Sequence, residues 1–260
     1  MKYNYHTHTA LCNHARGENE EYVLAAIEAG FDEIGFADHS PWPYEGGFVS
    51  GIRMIPDELE SYCESIKSLR EKYKDKISIK LGLECEYFPK YMPWLREKIS
   101  KHGIDFIIIG HHFCGDEPGS IYNGNMKAPE ELYRYRDDIV EAMETGMFSY
   151  IAHPDIFMRG YPVFDEHCEK ISRDIINKSI ETGVPLEYNL LGLSHSKNDG
   201  KQGYPYPDFW KLVGEMKPPV TMGIDAHEPS AYLDYELYSK GLETLHSLGL
   251  ELVSEIKMLG

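Results

Sequence analysis

The chain has no uninterrupted apolar run approaching the roughly 18–20 residues that a membrane span requires, and its first residues enter a strand-like pattern without the apolar core of a secretory signal. A cytoplasmic protein with no membrane partner is therefore expected. Positive charge is also short. Lys and Arg number 26 against 43 Asp and Glu, a formal net charge of −17, which opposes binding to nucleic acid or anionic lipid because both need a basic field. Bound divalent cations would offset part of that charge locally. Cysteine is scarce and odd in number: Cys12, Cys63, Cys85, Cys114 and Cys168 never form Cys-x-x-Cys, so neither a disulfide framework nor a thiolate zinc site is indicated. They read as reduced thiols, with Cys12, Cys85 and Cys114 as small packing residues beside histidine motifs. No Gly-x-Ser-x-Gly occurs, which removes the usual signature of a serine nucleophile. Nothing in the sequence speaks to oligomeric state.

Histidine, by contrast, is plentiful, with 12 in the chain. Tyr5-His6-Thr7-His8 opens it, and His14 follows on a short excursion. Side chains two apart on a strand share a face, so His6 and His8 can grip one cation. The rest of the chain repeats one phrase: helix, glycine, apolar strand, polar ending. It runs through Gly30 to Asp38-His39, Gly103 to His111-His112, Gly146 to His153-Pro154-Asp155 and Gly183 to Asn189. Strands at 77–84 and 220–225 arrive without the glycine. Seven strands are expected, near 3–8, 33–38, 77–84, 105–111, 148–153, 185–190 and 220–225, with a short eighth possible at Leu250–Val253. Nearly all-apolar strands alternating with helices indicate βα units in a parallel sheet buried on both faces. At 260 residues one domain spanning 1–260 is expected, either a distorted (β/α)7 barrel related to the TIM barrel or an open doubly wound sheet. Amphipathic helices are expected at Glu18–Ala29 (apolar Val23, Leu24, Ile27), Pro56–Lys74 (Leu59, Tyr62, Ile66, Leu69) and Pro129–Thr145 (Leu132, Tyr135, Ile139, Met143). The strand-to-helix connections 40–55, 113–128, 157–164 and 191–207 read as long loops on the face where barrel active sites are built.

The strand ends carry the chemistry. Taken in order they are His6 and His8, His39, Glu84, His111-His112, His153, Asn189 and Asp225-Ala226-His227. Imidazole and carboxylate without thiolate suit zinc, manganese or iron in a site that keeps positions open for water and substrate. Water on such ions has its pKa lowered towards about 7, and ions on both sides of a phosphate oxygen orient the ester for in-line attack.

The ordered set His-x-His, a third His six residues on, Ala-Asp-His, Gly-x-Glu, Ala-His-Pro-Asp and Asp-Ala-His resembles the PHP (polymerase and histidinol phosphatase) superfamily, and within it the histidinol-phosphate phosphatase branch, over essentially the whole chain. The resemblance implies a (β/α)7 barrel with two or three clustered divalent ions, zinc, manganese or iron. It implies that His6, His8, Glu84 and Asp225 hold one ion, that Glu84 bridges to a second held by His112 and His153, and that His14, His39 and His227 hold a third. His111 stands where relatives carry a small or apolar residue, so His112 is the expected ligand. Asn189-Leu190-Leu191-Gly192 departs from the family's Asn-Thr-Ser-Gly, which bears on substrate more than on metal.

The implied reaction is hydrolysis of L-histidinol phosphate in histidine biosynthesis, with a small phosphate ester as partner. Rival readings are a PHP phosphoesterase of another specificity, an amidohydrolase, and a non-catalytic metal-binding domain. An anionic ester calls for a guanidinium: Arg159 stands first, Arg16 second, and Arg53 third as a solvated residue. His195 is a candidate acid for the leaving alkoxide, or simply exposed. Asp38 and Asp155 are candidate acceptors orienting ligand imidazoles. Trp42 and Tyr44 could wall the substrate, and His102, His167 and His246 lie on expected helices away from the strand ends.

Overall fold

Glycines that stop helices hand the chain into apolar strands, and that alternation sets the architecture. The computed structural model describes residues 1–199 and 203–259, the side chains of 197–199 excepted; Gly200, assigned to a long loop by sequence, lies outside the described residues. Gly30, Gly103, Gly146 and Gly183 all adopt positive φ, between 58° and 73°, the left-handed turn in which a side chain would clash. The chain forms two compact units: Met1–Ile108 with Ile224–Tyr235 and Met258–Gly260, and Ile109–Gly223 with Glu236–Lys257.

In the first unit, β1 (Tyr3–Asn4), β2 (Glu33–His39), β3 (Ser78–Cys85) and β4 (Phe106–Ile109) form a sheet in that order. β1 pairs with β2 and β2 with β3, both in parallel. The core is packed around Phe106, whose ring crosses two glycines. A Cβ at Gly35 would stand 2.6 Å from the ring, and one at Gly82 would stand 2.3 Å from it. Tyr5 meets the same ring edge-on at 5.6 Å. Helix α1 (Asn19–Glu28) starts at a reciprocal cap between Glu18 and Glu21. It buries Tyr22, Val23, Ala25 and Ala26, while Leu24, expected on the apolar face, is 48% exposed. Helix α2 (Leu59–Tyr73), entered through a 3-10 turn at Pro56–Glu58, buries the expected Leu59, Tyr62, Ile66 and Leu69. Helix α3 is Met92–His102.

In the second unit, β5 (Leu186–Asn189) pairs in parallel with β6 (Val220–Gly223). The expected strand at 148–153 reduces to a single position: Ile151 bridges Ile109 on one side and Leu186 on the other. The possible eighth strand is likewise one bridge, Leu252 to Val220. Helices α4 (Pro129–Glu144) and α5 (Glu166–Thr182) pack together, α4 burying Leu132, Tyr135, Ile139 and Met143. The connection after β5 is not a loop throughout. Helix α6 (Leu190–Asp199) begins at once, because Asn189 Oδ1 accepts the Gly192 N–H at 2.9 Å and supplies the missing partner of the first turn. Helices α7 (Pro207–Met216) and α8 (Tyr235–Ser247) follow. Among the described residues no helix is long and apolar enough to cross a membrane.

Candidate metal centre

Parallel register assembles the ligand set of the first unit. β2 and β3 pair in step from Glu33 with Ser78 to His39 with Glu84, so the imidazole ending one strand meets the carboxylate ending the next, with His39 Nδ1 3.0 Å from Glu84 Oε2. Beyond β1, Thr7 bridges Ala226. His8 N–H donates to the Ala226 carbonyl at 2.9 Å, and Ala226 N–H donates to the His6 carbonyl at 3.1 Å. Alternation then turns His6 and His8 towards the acid that precedes Ala226. His6 Nε2 lies 3.4 Å and His8 Nε2 3.1 Å from Asp225 Oδ1, and each lies 3.4 Å from a Glu84 oxygen. His6, His8, Glu84 and Asp225 are all at most 4% exposed. Asp225 takes φ 56°, a left-handed backbone for a residue with a side chain, the kind of strain that collects at functional sites.

These spacings fit a cation. Ligand bonds of about 2.0–2.2 Å in a tetrahedral shell place neighbouring donor atoms about 3.3–3.6 Å apart; the three 3.4 Å spacings of His6 and His8 to Glu84 and of His6 to Asp225 fall in that range, and the 3.0 and 3.1 Å contacts of His39 and His8 lie just below it. Ligand atoms within 4.8 Å of one another also group His14, His39 and His227 as one set, and His8, His39 and Glu84 as another. Burial alone would push the Asp225 carboxyl up, but His6, His8 and His227 outweigh it and hold the group well below the usual carboxylate range. Burial pushes His227 down to about 3, which leaves it a neutral imidazole with a lone pair to offer.

The ring nitrogens add independent support. His14 Nδ1 faces the Cys12 carbonyl at 2.7 Å, and His227 Nδ1 faces the Asp225 carbonyl at 3.0 Å. A carbonyl only accepts, so each Nδ1 carries the hydrogen and each neutral ring keeps its lone pair on Nε2. Yet the two Nε2 atoms stand 3.0 Å apart. Two lone pairs repel at that distance, and only positive charge between them, a proton or a metal ion, makes the contact favourable. His8 is oriented from behind by Asp38, whose Oδ1 lies 3.3 Å from Nδ1 and whose Oδ2 accepts the Thr9 N–H at 3.2 Å. Sequence reasoning passed over one group. Cys12, read as packing, is fully buried, and its sulfur lies within the same 4.8 Å of ligand atoms of His8 and His227 while accepting the Ala15 N–H at 3.2 Å. Its place four residues after His8 was the available signal.

The second unit brings His112 beside His153, with ring centroids 5.0 Å apart. His112 stacks on Tyr122 at an 8° interplanar angle, and the Arg159 guanidinium lies 5.9 Å over that tyrosine ring. His111 turns the other way, its Nε2 2.9 Å from Asp138 on α4, so of the adjacent pair it is His112 that stands beside His153. His153 has φ 33°, a second left-handed position. Arg159, Lys127, His195 and Tyr204 line a cavity of about 230 Å³, and Tyr204 meets the His153 ring edge-on at 5.7 Å. Arg159 and His195 are both exposed.

Several expected roles change. Arg53 is not solvated: it is 2% exposed and grips Glu86 with both guanidinium nitrogens, at 3.0 and 2.7 Å, while also donating to the Ser40 carbonyl at 3.0 Å. Trp42 is not a substrate wall but a buried donor to the same carboxylate, at 2.8 Å. Asp155 Oδ2 accepts the Tyr206 N–H at 2.5 Å, and burial raises its carboxyl to about 7. Arg16 is exposed. Its backbone is pinned through its N–H to the His227 carbonyl at 2.8 Å and through its own carbonyl to Tyr22 Oη at 2.6 Å.

Known proteins are similar to this chain. The "Probable histidinol-phosphatase" of Deinococcus radiodurans is 28% identical over 86% of this chain and 85% of its own length. The histidinol-phosphatase of Bacillus subtilis is 25% identical over 86% of this chain and 92% of its own. Among solved structures, histidinol phosphate phosphatase from Lactococcus lactis, complexed with zinc, L-histidinol and phosphate, superposes with a TM-score of 0.75 at 22% identity, covering 100% of this chain and 99% of that one. That likeness is one of fold. A family model described as PHP domain matches residues 4–191, well over half of the length, and the chain therefore belongs to the PHP domain family.

Proposed function

We propose that the chain, acting as one catalytic domain, is a metal-dependent phosphomonoesterase that hydrolyses L-histidinol phosphate to L-histidinol and phosphate. The observation that carries the metal dependence is the in-step pairing that delivers His39 to Glu84, together with the Thr7–Ala226 bridge that turns His6 and His8 to Asp225. The substrate comes from the relatives' names and from the histidinol and phosphate bound to the Lactococcus enzyme.

By this reading His6, His8, Glu84 and Asp225 hold one divalent ion, and His14, His39 and His227 hold another. His112 and His153, side by side in the second unit, serve a further ion. The strands close as a (β/α)7 barrel. Bound ions would supply Lewis acidity, lower the pKa of bound water towards about 7 and offset the charge of the phosphoryl group. The chain's own residues do the rest. Asp38 keeps His8 in one tautomer. Asp225 stays ionised among the imidazoles and so remains able to act as a ligand. Arg159, in the cavity it shares with Lys127 and His195, meets the ester's anionic oxygens, and His195 is the candidate donor of a proton to the departing alkoxide.

Phosphate release from a panel of phosphomonoesters including histidinol phosphate, with zinc- or manganese-loaded protein, tests the reading. Metal-dependent turnover is expected, with Asp225→Ala losing both turnover and one equivalent of metal. Absence of turnover of every ester removes the enzyme; turnover of other esters but not histidinol phosphate removes only the substrate.

A further inference from the structure

Glu187, on β5 of the second unit, is wholly buried, and nothing above gives its carboxylate a task. A buried carboxylate is costly unless hydrogen-bonded, and an apolar side chain at that strand position would pack without the cost. The strand partner makes room for it: a Cβ on Gly223 would stand 1.8 Å from Glu187 Oε1 and 2.5 Å from its Cδ. Two of the bonds that Glu187 makes lead to parts of the site. Oε2 accepts the backbone N–H of His153 at 3.1 Å and the side-chain amide of Asn189 at 2.9 Å. Asn189 passes the contact on, because its other amide atom, Oδ1, caps α6 through the Gly192 N–H at 2.9 Å. The first of these bonds grips a residue that does not hold its conformation unaided. His153 sits at φ 33°, where a non-glycine backbone carries roughly 1–3 kcal/mol of strain and persists only if its surroundings over-determine it.

We infer that Glu187 is a positioning residue: through one oxygen it sets the backbone angle that aims the His153 imidazole, and through Asn189 it sets the start of α6, the helix that carries His195 to the basic cavity. Gly223 belongs to the same device, since any larger residue there displaces the carboxylate. The inference rests on the reading of His153 as a metal ligand.

The test is made on the full chain with Glu187→Ala, Glu187→Gln, Gly223→Ala and, as reference, His153→Ala. Zinc stoichiometry and affinity are measured by chelator competition, with kcat and KM for the phosphate ester alongside. Glu187→Ala and Gly223→Ala are expected to weaken one ion roughly 10–100-fold, as loss of an outer partner does, and to weaken the same ion that His153→Ala loses. Glu187→Gln, whose carbonyl oxygen can still accept both N–H groups, is expected to bind all ions as the unaltered chain does. Should Glu187→Ala not fold, Glu187→Asp, which keeps the charge but withdraws the oxygen by one methylene, decides the matter on the same measurement. Undiminished affinity for every ion in a folded Glu187→Ala, Glu187→Asp or Gly223→Ala protein overturns the inference. An unaltered chain that binds no metal overturns the reading beneath it instead.

Discussion

Replacing Arg53 by methionine removes a guanidinium from a place that water does not reach. Arg53 is 2% exposed and Glu86 0%, and between them run two hydrogen bonds of 3.0 and 2.7 Å. After the replacement Glu86 keeps the Trp42 indole N–H at 2.8 Å, while its charge loses its counter-ion and the Ser40 carbonyl loses its 3.0 Å donor. Breaking a buried pair from one side costs about 3–5 kcal/mol, because an uncompensated charge is left behind. The orphaned carbonyl adds about 1 kcal/mol. A loss of roughly 4–6 kcal/mol is therefore expected by urea unfolding, a large share of the roughly 5–15 kcal/mol that holds a folded protein. Removing both charges together, Arg53→Met with Glu86→Leu, is expected to recover at least about 2 kcal/mol, since paired apolar groups need no counter-ion. A single variant within about 1 kcal/mol of the unaltered chain would show the pair behaving like an exposed one, and a double variant no better than the single would refute the desolvation argument.

Three further outcomes are expected. Gly82→Ala drives a methyl group to 2.3 Å from the Phe106 ring and should cost about 1–3 kcal/mol, read as a lower melting temperature and partly regained when Phe106→Leu is added. For Glu33, burial raises the carboxyl, but hydrogen bonds from Ser78 and Tyr5 and the nearby Lys80 outweigh it and hold the group below its ordinary 4.5. Its stabilisation is thus complete above about pH 4.5 and vanishes as the pH falls through the lower folded value, so the stability gap to Glu33→Gln should be wider at pH 7 than at pH 3, and an unchanged gap would contradict the shift. Chelation should lower the melting temperature and zinc should restore it, by about 2.7 kcal/mol at a free concentration 100 times Kd; an identical melting curve with and without chelator would speak against bound ions.

What could be read in advance follows from where the information lies along the chain. The candidate ligands could be read in advance where they lie at or just past a strand end, as His39, Glu84 and Asp225 do, because the period-two pattern that identifies a strand also tells which side chains share its face. Glycines 30, 103, 146 and 183 were legible because a helix stop needs φ above zero. Helix α6 was not: Gly192, Ser194, Ser196 and Asn198 are poor helix formers with no apolar stripe, and the segment is started by a side-chain cap from Asn189. The strand expected at 148–153 shrank to Ile151 because His153 leaves extended geometry altogether. Arg53 was misjudged because its partner is 33 residues away, and a buried ion pair leaves no periodic trace. Asp38 turned out to reach the ring of His8, 30 residues earlier, while its bond to the adjacent His39 goes to that residue's backbone N–H at 2.8 Å.

The step-by-step pairing of β2 with β3 from Glu33 to His39 bears on how such a chain can change over time. A single residue gained or lost within either strand would invert every later side chain, sending His39 or Glu84 outward and exchanging its place with a neighbour. Insertions are harmless only outside Glu33–His39 and Ser78–Glu84, in connections that bear no register. On the proposed metal reading, the length of these strands is held constant by the ligands at their ends, while drift in size is confined to the loops, where a new specificity can be tried without disturbing that register.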